Sequence, residues 1–264
     1  MIELKAFTKY FHKGSINEVQ ALEKIDLTIS RGEFITIIGS NGAGKSTLLN
    51  CLAGTYMPDG GHLLLDGQDI AHWPEYRRAR FISRVFQDPL LGTCASLSVE
   101  QNLALALRRG RRRGLRIGVK KAERVIFGQA LEKLGLGLEK RLRSRVGLLS
   151  GGQRQALTML MATLIKPDIL LLDEHAAALD PKTARQILDL TTSIVSAQQI
   201  TTLMVTHNMN HALTFGNRLI MLHRGKIIFD IQGEEKAALK KEDLIARFYD
   251  RQKEELSADR MLLG

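Results

Sequence analysis

The chain of 264 residues is poor in several things at once. It has two cysteines, one tryptophan and five prolines, and its aromatic share is only 5%. Cys51 and Cys94 form no Cys-x-x-Cys pair, and two cysteines are too few for a disulfide framework or a structural zinc site. No uninterrupted apolar run is long enough to span a bilayer. The start, Met1-Ile2-Glu3-Leu4-Lys5, carries an early acid and no extended apolar region, so it does not read as a signal peptide. These absences predict a cytoplasmic chain. There is no internal repeat and no low-complexity linker, and no Asn-Lys-x-Asp element to read guanine. Acidic residues are also in deficit: 28 Asp and Glu face 38 Lys and Arg, a formal net charge of +10. Such a balance suits nucleic acid, an acidic membrane surface or an acidic partner. Part of the excess is local, in Arg108, Arg109, Arg111, Arg112, Arg113 and Arg116. That run reads either as a solvated, mobile connection or as a contact for anionic lipid headgroups. Aromatics for base stacking do not interleave with it, which places nucleic acid third.

What is present is ordinary in bulk and specific in detail. A hydrophobic share of 44% and a charged share of 25% fit one large α/β domain, or a core with a subdomain. The specific feature is Gly39-Ser40-Asn41-Gly42-Ala43-Gly44-Lys45-Ser46-Thr47, a complete G-x-x-x-x-G-K-[ST] loop. The apolar run Phe34 to Ile38 precedes it and a helical pattern from Thr47 follows it, the context this motif requires. Its glycines let backbone amides approach phosphate oxygens, and the helix start adds partial positive charge. Lys45 can reach the β- and γ-phosphates, and the Ser46 hydroxyl can coordinate Mg²⁺.

The first part of the chain reads as strands, Ile2 to Phe7 and Ala21 to Ile29, then the phosphate-loop strand and His62 to Leu65. From about Asp88 to Lys166 the pattern is helical, as in Val99 to Leu107 and Ala122 to Leu134. After Pro167 the α/β rhythm returns. Asp168 to Leu172 and Thr201 to Thr206 read as strands, Pro181 to Val195 as a helix, and Leu219 to Asp230 as a hairpin about Arg224-Gly225. Lys241 to Glu255 reads as a polar C-terminal helix. The expected fold is an α/β P-loop NTPase core with a mixed or parallel sheet, an N-terminal antiparallel β subdomain and an inserted α-helical subdomain. The expected limits are 1–87 and 167–232 for the core, 88–166 for the helical part and 233–264 for a C-terminal extension.

Two further motifs narrow the chemistry. Ile169-Leu170-Leu171-Leu172-Asp173-Glu174 is an apolar strand ending in acids. Asp173 can hold Mg²⁺ and Glu174 can polarise water at a γ-phosphate. A buried strand that simply ends in surface acids is the plain alternative. Leu149-Ser150-Gly151-Gly152-Gln153 precedes a helical run, with Ser150 at the N-cap position and two glycines that would expose amides to a second anion. A plain helix cap is the alternative there.

With these motifs in this order the chain resembles the nucleotide-binding subunit of an ABC transporter, in the bacterial stand-alone form. Leu149 to Gln153 matches that family's signature, and the likeness runs from about Ile2 to Asp230. The resemblance implies ATP and Mg²⁺ as cofactors and ATP hydrolysis coupled to transport. It implies Gln87 as the Q-loop glutamine, touching Mg²⁺ and water, with Ser46 and Asp173 as the other metal ligands. It implies Ala177 to Asp180 as the D-loop and His207 as the switch histidine at the γ-phosphate. Phe11 matches the aromatic that stacks on adenine, with Tyr10 the runner-up. His207 and His211 sit four apart, but Asn208 stands where a zincin helix needs Glu. Two positions depart from the pattern: His175 where many members have Pro, and Ala177 where Ser is common.

The implied partners are a second copy of the chain, whose signature acts in trans, integral membrane permeases, and a separate substrate-binding protein. The implied location is the cytoplasmic face of the inner membrane, with no nucleic acid bound. The stand-alone form resembles bacterial importers more than exporters, and Asp173-Glu174-His175 together with Ala178-Leu179-Asp180-Pro181 resembles orphan bacterial systems for amino-acid-like solutes. The alternative is a soluble ABC-type ATPase acting on nucleic acid or ribosomes. Relatives of that kind have two cassettes or a long coiled-coil insertion, and neither is present here.

Overall fold

The computed structural model describes residues 1–111 and 118–247. Alternating apolar side chains build a four-stranded antiparallel sheet from β1 (Ile2–Phe11), β2 (Val19–Ile29), β4 (Gly60–Leu65) and β5 (Gln68–Asp69), in the order β2-β1-β4-β5. The first strand runs past Phe7 to Phe11, because Lys9, Tyr10 and Phe11 keep pairing with Leu22, Gln20 and Val19 across a shifted register.

The second sheet joins β3 (Phe34–Gly39), β6 (Ile82–Val85), β7 (Ile169–Asp173), β8 (Thr201–Val205), β9 (Arg218–His223) and β10 (Lys226–Gln232) in the order β10-β9-β3-β8-β7-β6. All neighbours are parallel except the β9–β10 hairpin. Its central strands are apolar on both faces, as a parallel sheet covered on both sides requires. On one face Ile35, Ile37, Leu171, Leu203 and Val205 pack with Leu48, Leu49 and Leu52 of α1 (Lys45–Ala53) and with the antiparallel sheet. On the other, Phe34, Leu170, Leu172 and Met204 pack with Met159 of α5 (Gly151–Thr163) and Leu188 of α6 (Pro181–Gln198).

Between β6 and β7 the chain forms α3 (Val99–Leu107), α4 (Lys121–Glu132) and α5, which share a core of Leu103, Phe127, Leu131 and Leu157. This is the helical insertion expected from the spacing. Three short helices escaped the sequence reading: α2 (Glu75–Arg78), α7 (Met209–Thr214) and α8 (Gly233–Ala238). Of the expected C-terminal helix, residues 241–247 are helical and the remainder lies outside the described residues.

Two buried cations fasten helix ends. Arg78 is fully buried and donates to the carbonyls of Cys51 and Leu52 at the end of α1, and to Ala71 and Trp73 below the antiparallel sheet. Lys236 donates to the carbonyls of Phe215 and Gly216 after α7. Each places positive charge where a helix leaves unpaired carbonyls.

Candidate functional site

The parallel register sets the site. Ile37 of β3 and Asp173 of β7 both lie opposite Val205 of β8, so the C-terminal ends of three strands finish side by side. The loops that leave them carry the phosphate loop, the Asp173-Glu174 pair and His207. Ligands of open α/β sheets bind outside this edge.

Gly39 must be glycine here. Its φ is 153°, and a β-carbon would run into the carbonyl of Leu222 on the next strand. Gly44 has φ 100° and would place a β-carbon 2.5 Å from the Ala21 carbonyl. Gly44 is also the N-cap of α1 and offers no side-chain cap, which leaves the first-turn amides to a ligand. Ser40, Asn41, Gly42 and Ser46 are exposed along this loop, Thr47 is half-buried, and Ala43 is buried beneath it. Lys45 is 5% exposed, and its Nζ folds back to donate to the carbonyls of Gly39 at 2.8 Å and Ser40 at 2.9 Å. Burial lowers its pKa, and the nearby carboxylates of Glu174 and Asp173 oppose that shift.

Glu174 is in the left-handed region at φ 47°, held by its amide to the Val205 carbonyl at 3.1 Å. Non-glycine residues in that region concentrate at functional sites. Its Oε1 lies 2.5 Å from His207 Nε2. The Glu174 side chain is largely buried and that of His207 half exposed, so the pair faces out from the strand ends. Asp173 meets Arg84 of β6 instead, an arrangement the sequence reading missed. Gln87 is exposed two residues beyond β6. The carbonyl just before it, on Phe86, accepts from Gln155 Nε2 of α5 at 3.4 Å. Among the described residues no group of three or more His, Cys, Asp or Glu is placed to hold a metal. One carboxylate, a hydroxyl and an amide therefore suit a cation that arrives with phosphate oxygens.

The Leu149–Gln153 segment is a strong cap as well as an open loop. Ser150 Oγ accepts from the Gln153 amide at 3.2 Å, and Gln153 Oε1 accepts from the Ser150 amide at 3.3 Å, a capping box. Arg141 Nη1 donates to the same Oε1 at 3.1 Å, and Gln153 Nε2 donates to the Leu136 carbonyl at 3.2 Å. Gln153 is thus turned into the helical insertion, while Ser150 and Gly151 remain exposed and Leu149 is buried beneath. Gly152 backs onto Thr183 of α6, leaving no room for a β-carbon. Asp180 caps that helix by accepting from the Thr183 amide at 3.1 Å.

His175, in the departure position, is 2% exposed. Its Nε2 is 3.0 Å from Thr191 Oγ1, and that hydroxyl donates to the Ile187 carbonyl at 2.7 Å. The ring therefore donates from Nε2. Burial pushes its pKa down to about 4, with His211 adding to the shift. His211 itself packs edge-on against Phe215 at 5.8 Å. Phe11 meets Tyr56 edge-on at 5.3 Å with Lys9 Nζ over its ring, whereas Tyr10 sits under Lys13.

The arginine run is not one free patch. Arg108 donates to the Ala104 carbonyl at 2.7 Å and meets Glu123 at 3.3 Å. Arg109 reaches Ser83 and the carbonyls of Ala162 at 2.8 Å and Ile165 at 2.5 Å, at the end of α5. The Arg109 guanidinium is therefore tied into the fold, although the residue is only partly buried. Arg112, Arg113 and Arg116 lie outside the described residues.

The chain is similar to known proteins. The ABC transporter family model matches residues 22–177. The tyrosine transport ATP-binding protein of Clostridioides difficile is 45% identical over 94% of this chain and 98% of its own length. The thiamine import ATP-binding protein ThiQ of Yersinia pestis is 37% identical over 78% of this chain and 82% of its own. Among solved structures, the dimeric post-hydrolysis cassette MJ0796 bound to ADP and phosphate aligns with a TM-score of 0.74 at 29% identity, covering 88% of this chain and 98% of that one. The cassette cbiO1 of Clostridium perfringens, part of the cbiONQ transporter complex, gives 0.74 at 25% identity, covering 93% of each chain.

Proposed function

We propose, for a chain that belongs to the ABC transporter family of cassettes that bind and hydrolyse ATP to power transport, that two copies close head to tail on two ATP molecules and drive separate permease subunits. The relatives named above are import or transport ATP-binding proteins, and among the described residues no helix is long and apolar enough to cross a membrane. Both observations support peripheral work at the cytoplasmic face of a bacterial membrane. The 45% identity to the tyrosine transport protein supports an amino-acid-like solute. The alternative task on nucleic acid gains no support from Arg109, whose guanidinium is spent on carbonyls of the fold.

The observation that carries the reading is the 2.5 Å contact between Glu174 and His207 beside a lysine-bearing phosphate loop. Backbone amides of residues 42–47 and Lys45 receive the β- and γ-phosphates. Lys45 gives up its bonds to the Gly39 and Ser40 carbonyls for phosphate oxygens of higher charge. Phe11, backed by Tyr56, offers its face to adenine. Ser46, Asp173 and Gln87 would hold Mg²⁺, which supplies charge neutralisation at the phosphates. Glu174 accepts a proton from the attacking water, and His207 orients Glu174 and meets the γ-phosphate. Ser150 and Gly151 of the second copy meet the same phosphate through hydroxyl and amide donors. Loss of phosphate removes those charge-assisted bonds, and the dimer opens.

The test is the Glu174→Gln protein. Purified with Mg²⁺ and ATP, it should retain nucleotide, lose turnover by at least about 100-fold and elute as a dimer only with ATP. Turnover at the native rate would remove Glu174 from its role. A monomer under all nucleotide conditions would remove the head-to-tail dimer.

A further inference from the structure

The carboxylate of Asp173 is already engaged. Arg84 Nη2 meets Asp173 Oδ2 at 2.6 Å, and Nη1 donates to Asn50 Oδ1 at 2.5 Å. The strand register brings the pair together. Arg84 lies opposite Leu171 on β7, and Asp173, two residues on, projects from the same face. Asn50 belongs to α1, so one guanidinium spans the phosphate-loop helix and the acid-bearing strand. The Phe86 ring closes over it, with its centroid 4.6 Å from Arg84 Cζ. The two side chains are only 13% and 15% exposed.

Packing does not account for an arginine at this position. Its Nε is buried without a partner, and a buried ion pair is commonly no more stabilising than apolar side chains of the same volume. What the guanidinium supplies is charge. Lys45 and Arg84 stand against Asp173 and Glu174, and the field of both acids reaches Lys45. A free divalent cation would meet two resident cations and a carboxylate already bound. A triphosphate brings the negative charge that makes a further cation favourable.

We propose that Arg84 is a positioning residue that withholds Asp173 from divalent cations until nucleotide arrives with them. The metal then enters as part of the nucleotide complex, and the empty site neither scavenges metal nor exposes a bare acid beside Lys45. Only Val85 and Phe86 separate Arg84 from Gln87, so the segment that leaves β6 is also the one whose Phe86 ring covers the guanidinium. The inference rests on Asp173 as the cation-facing acid of the ATP site proposed above.

The test uses the full chain without nucleotide and Mn²⁺ as the probe, followed by its electron paramagnetic resonance. The native protein should bind Mn²⁺ weakly. Arg84→Met should bind it at least about tenfold tighter, because a unit charge in contact with the acid is gone. Arg84→Lys keeps the charge and should stay near the native value. Arg84→Met combined with Asp173→Asn should return to weak binding. Should Arg84→Met melt well below the native protein, Arg84→Gln carries the same expectation. Arg84→Met or Arg84→Gln no tighter than native overturns the proposal, as does tight binding that survives Asp173→Asn. ATP retention by the native protein in Mg²⁺ is measured separately. Its failure would strike the proposed function, while the nucleotide-free Mn²⁺ titration still decides the role of Arg84.

Discussion

Gly152 and Thr183 meet with no space between them: a β-carbon on the glycine would occupy the place of Thr183 Cγ2. Thr183 also supplies the amide that Asp180 caps. The exposed N-terminal end of α5 is thus seated on the first turn of α6.

Gly152→Ala should therefore destabilise the fold by about 1–3 kcal/mol, the usual cost of overpacking. It should also weaken ATP-dependent dimerisation more than ATP binding by the monomer. Thr183→Ala in the same chain should recover most of the stability, because it removes the opposing methyl group. Thermal melts of the two single variants and the double variant give the coupling. Additive losses would show that the contact is not the cause.

Lys45→Ala should leave the empty protein folded and remove most ATP binding. Among the described residues the native Nζ donates to two carbonyls of its own loop, and removing the charge also removes its burial cost, so the loss to the fold stays within about 1.5–3 kcal/mol per bond. The phosphate loses a direct cation. Equilibrium dialysis with ATP beside a melting curve separates the two effects. A variant with native ATP affinity would contradict the placement of Lys45.

His175 makes stability depend on pH. The unfolded chain takes up this proton near its ordinary pKa of 6.5, whereas the folded ring stays neutral down to about 4. The folded pKa lies below the unfolded one, so the contribution is fully present above pH 6.5 and is lost as pH falls toward 4. By pH 4.5 the loss is about 2–3 kcal/mol. Urea unfolding from pH 7 to 4.5 should show a steeper decline for the native chain than for His175→Gln. Equal slopes would place the ring in contact with solvent.

The two thiols should differ sharply. Cys51 is buried on the inner side of the phosphate-loop helix, and burial raises its pKa to about 12. Cys94 is exposed in the segment after Gln87, and the Ser96 hydroxyl lowers its pKa. Thiolate is the reactive form. One equivalent of iodoacetamide should add at pH 7.5, at Cys94, and the second only in denaturant. Mass spectrometry of the native protein checks this, and early labelling of Cys51 would contradict it.

The phosphate loop and Asp173-Glu174 were legible because each is written in a short stretch whose spacing is its geometry. The helical insertion was legible through three- and four-residue apolar periodicity in Val99–Leu107. Helices of six residues or fewer, such as Met209–Thr214, complete too few turns to show a period. The Arg84–Asp173 pair joins positions 89 apart, and only the order of strands β6 and β7 brings them together. Arg109 misled for a related reason: inside a run of arginines it looked like solvated charge. The carbonyls that accept from it belong to a helix end more than 50 residues away.

Arg78 bolts the rear of the phosphate-loop helix to the segment that follows the antiparallel sheet, mainly through main-chain carbonyls and with the Met57 sulfur beside it. Force applied at the nucleotide end of that helix is carried straight into the sheet, and the two travel as one piece.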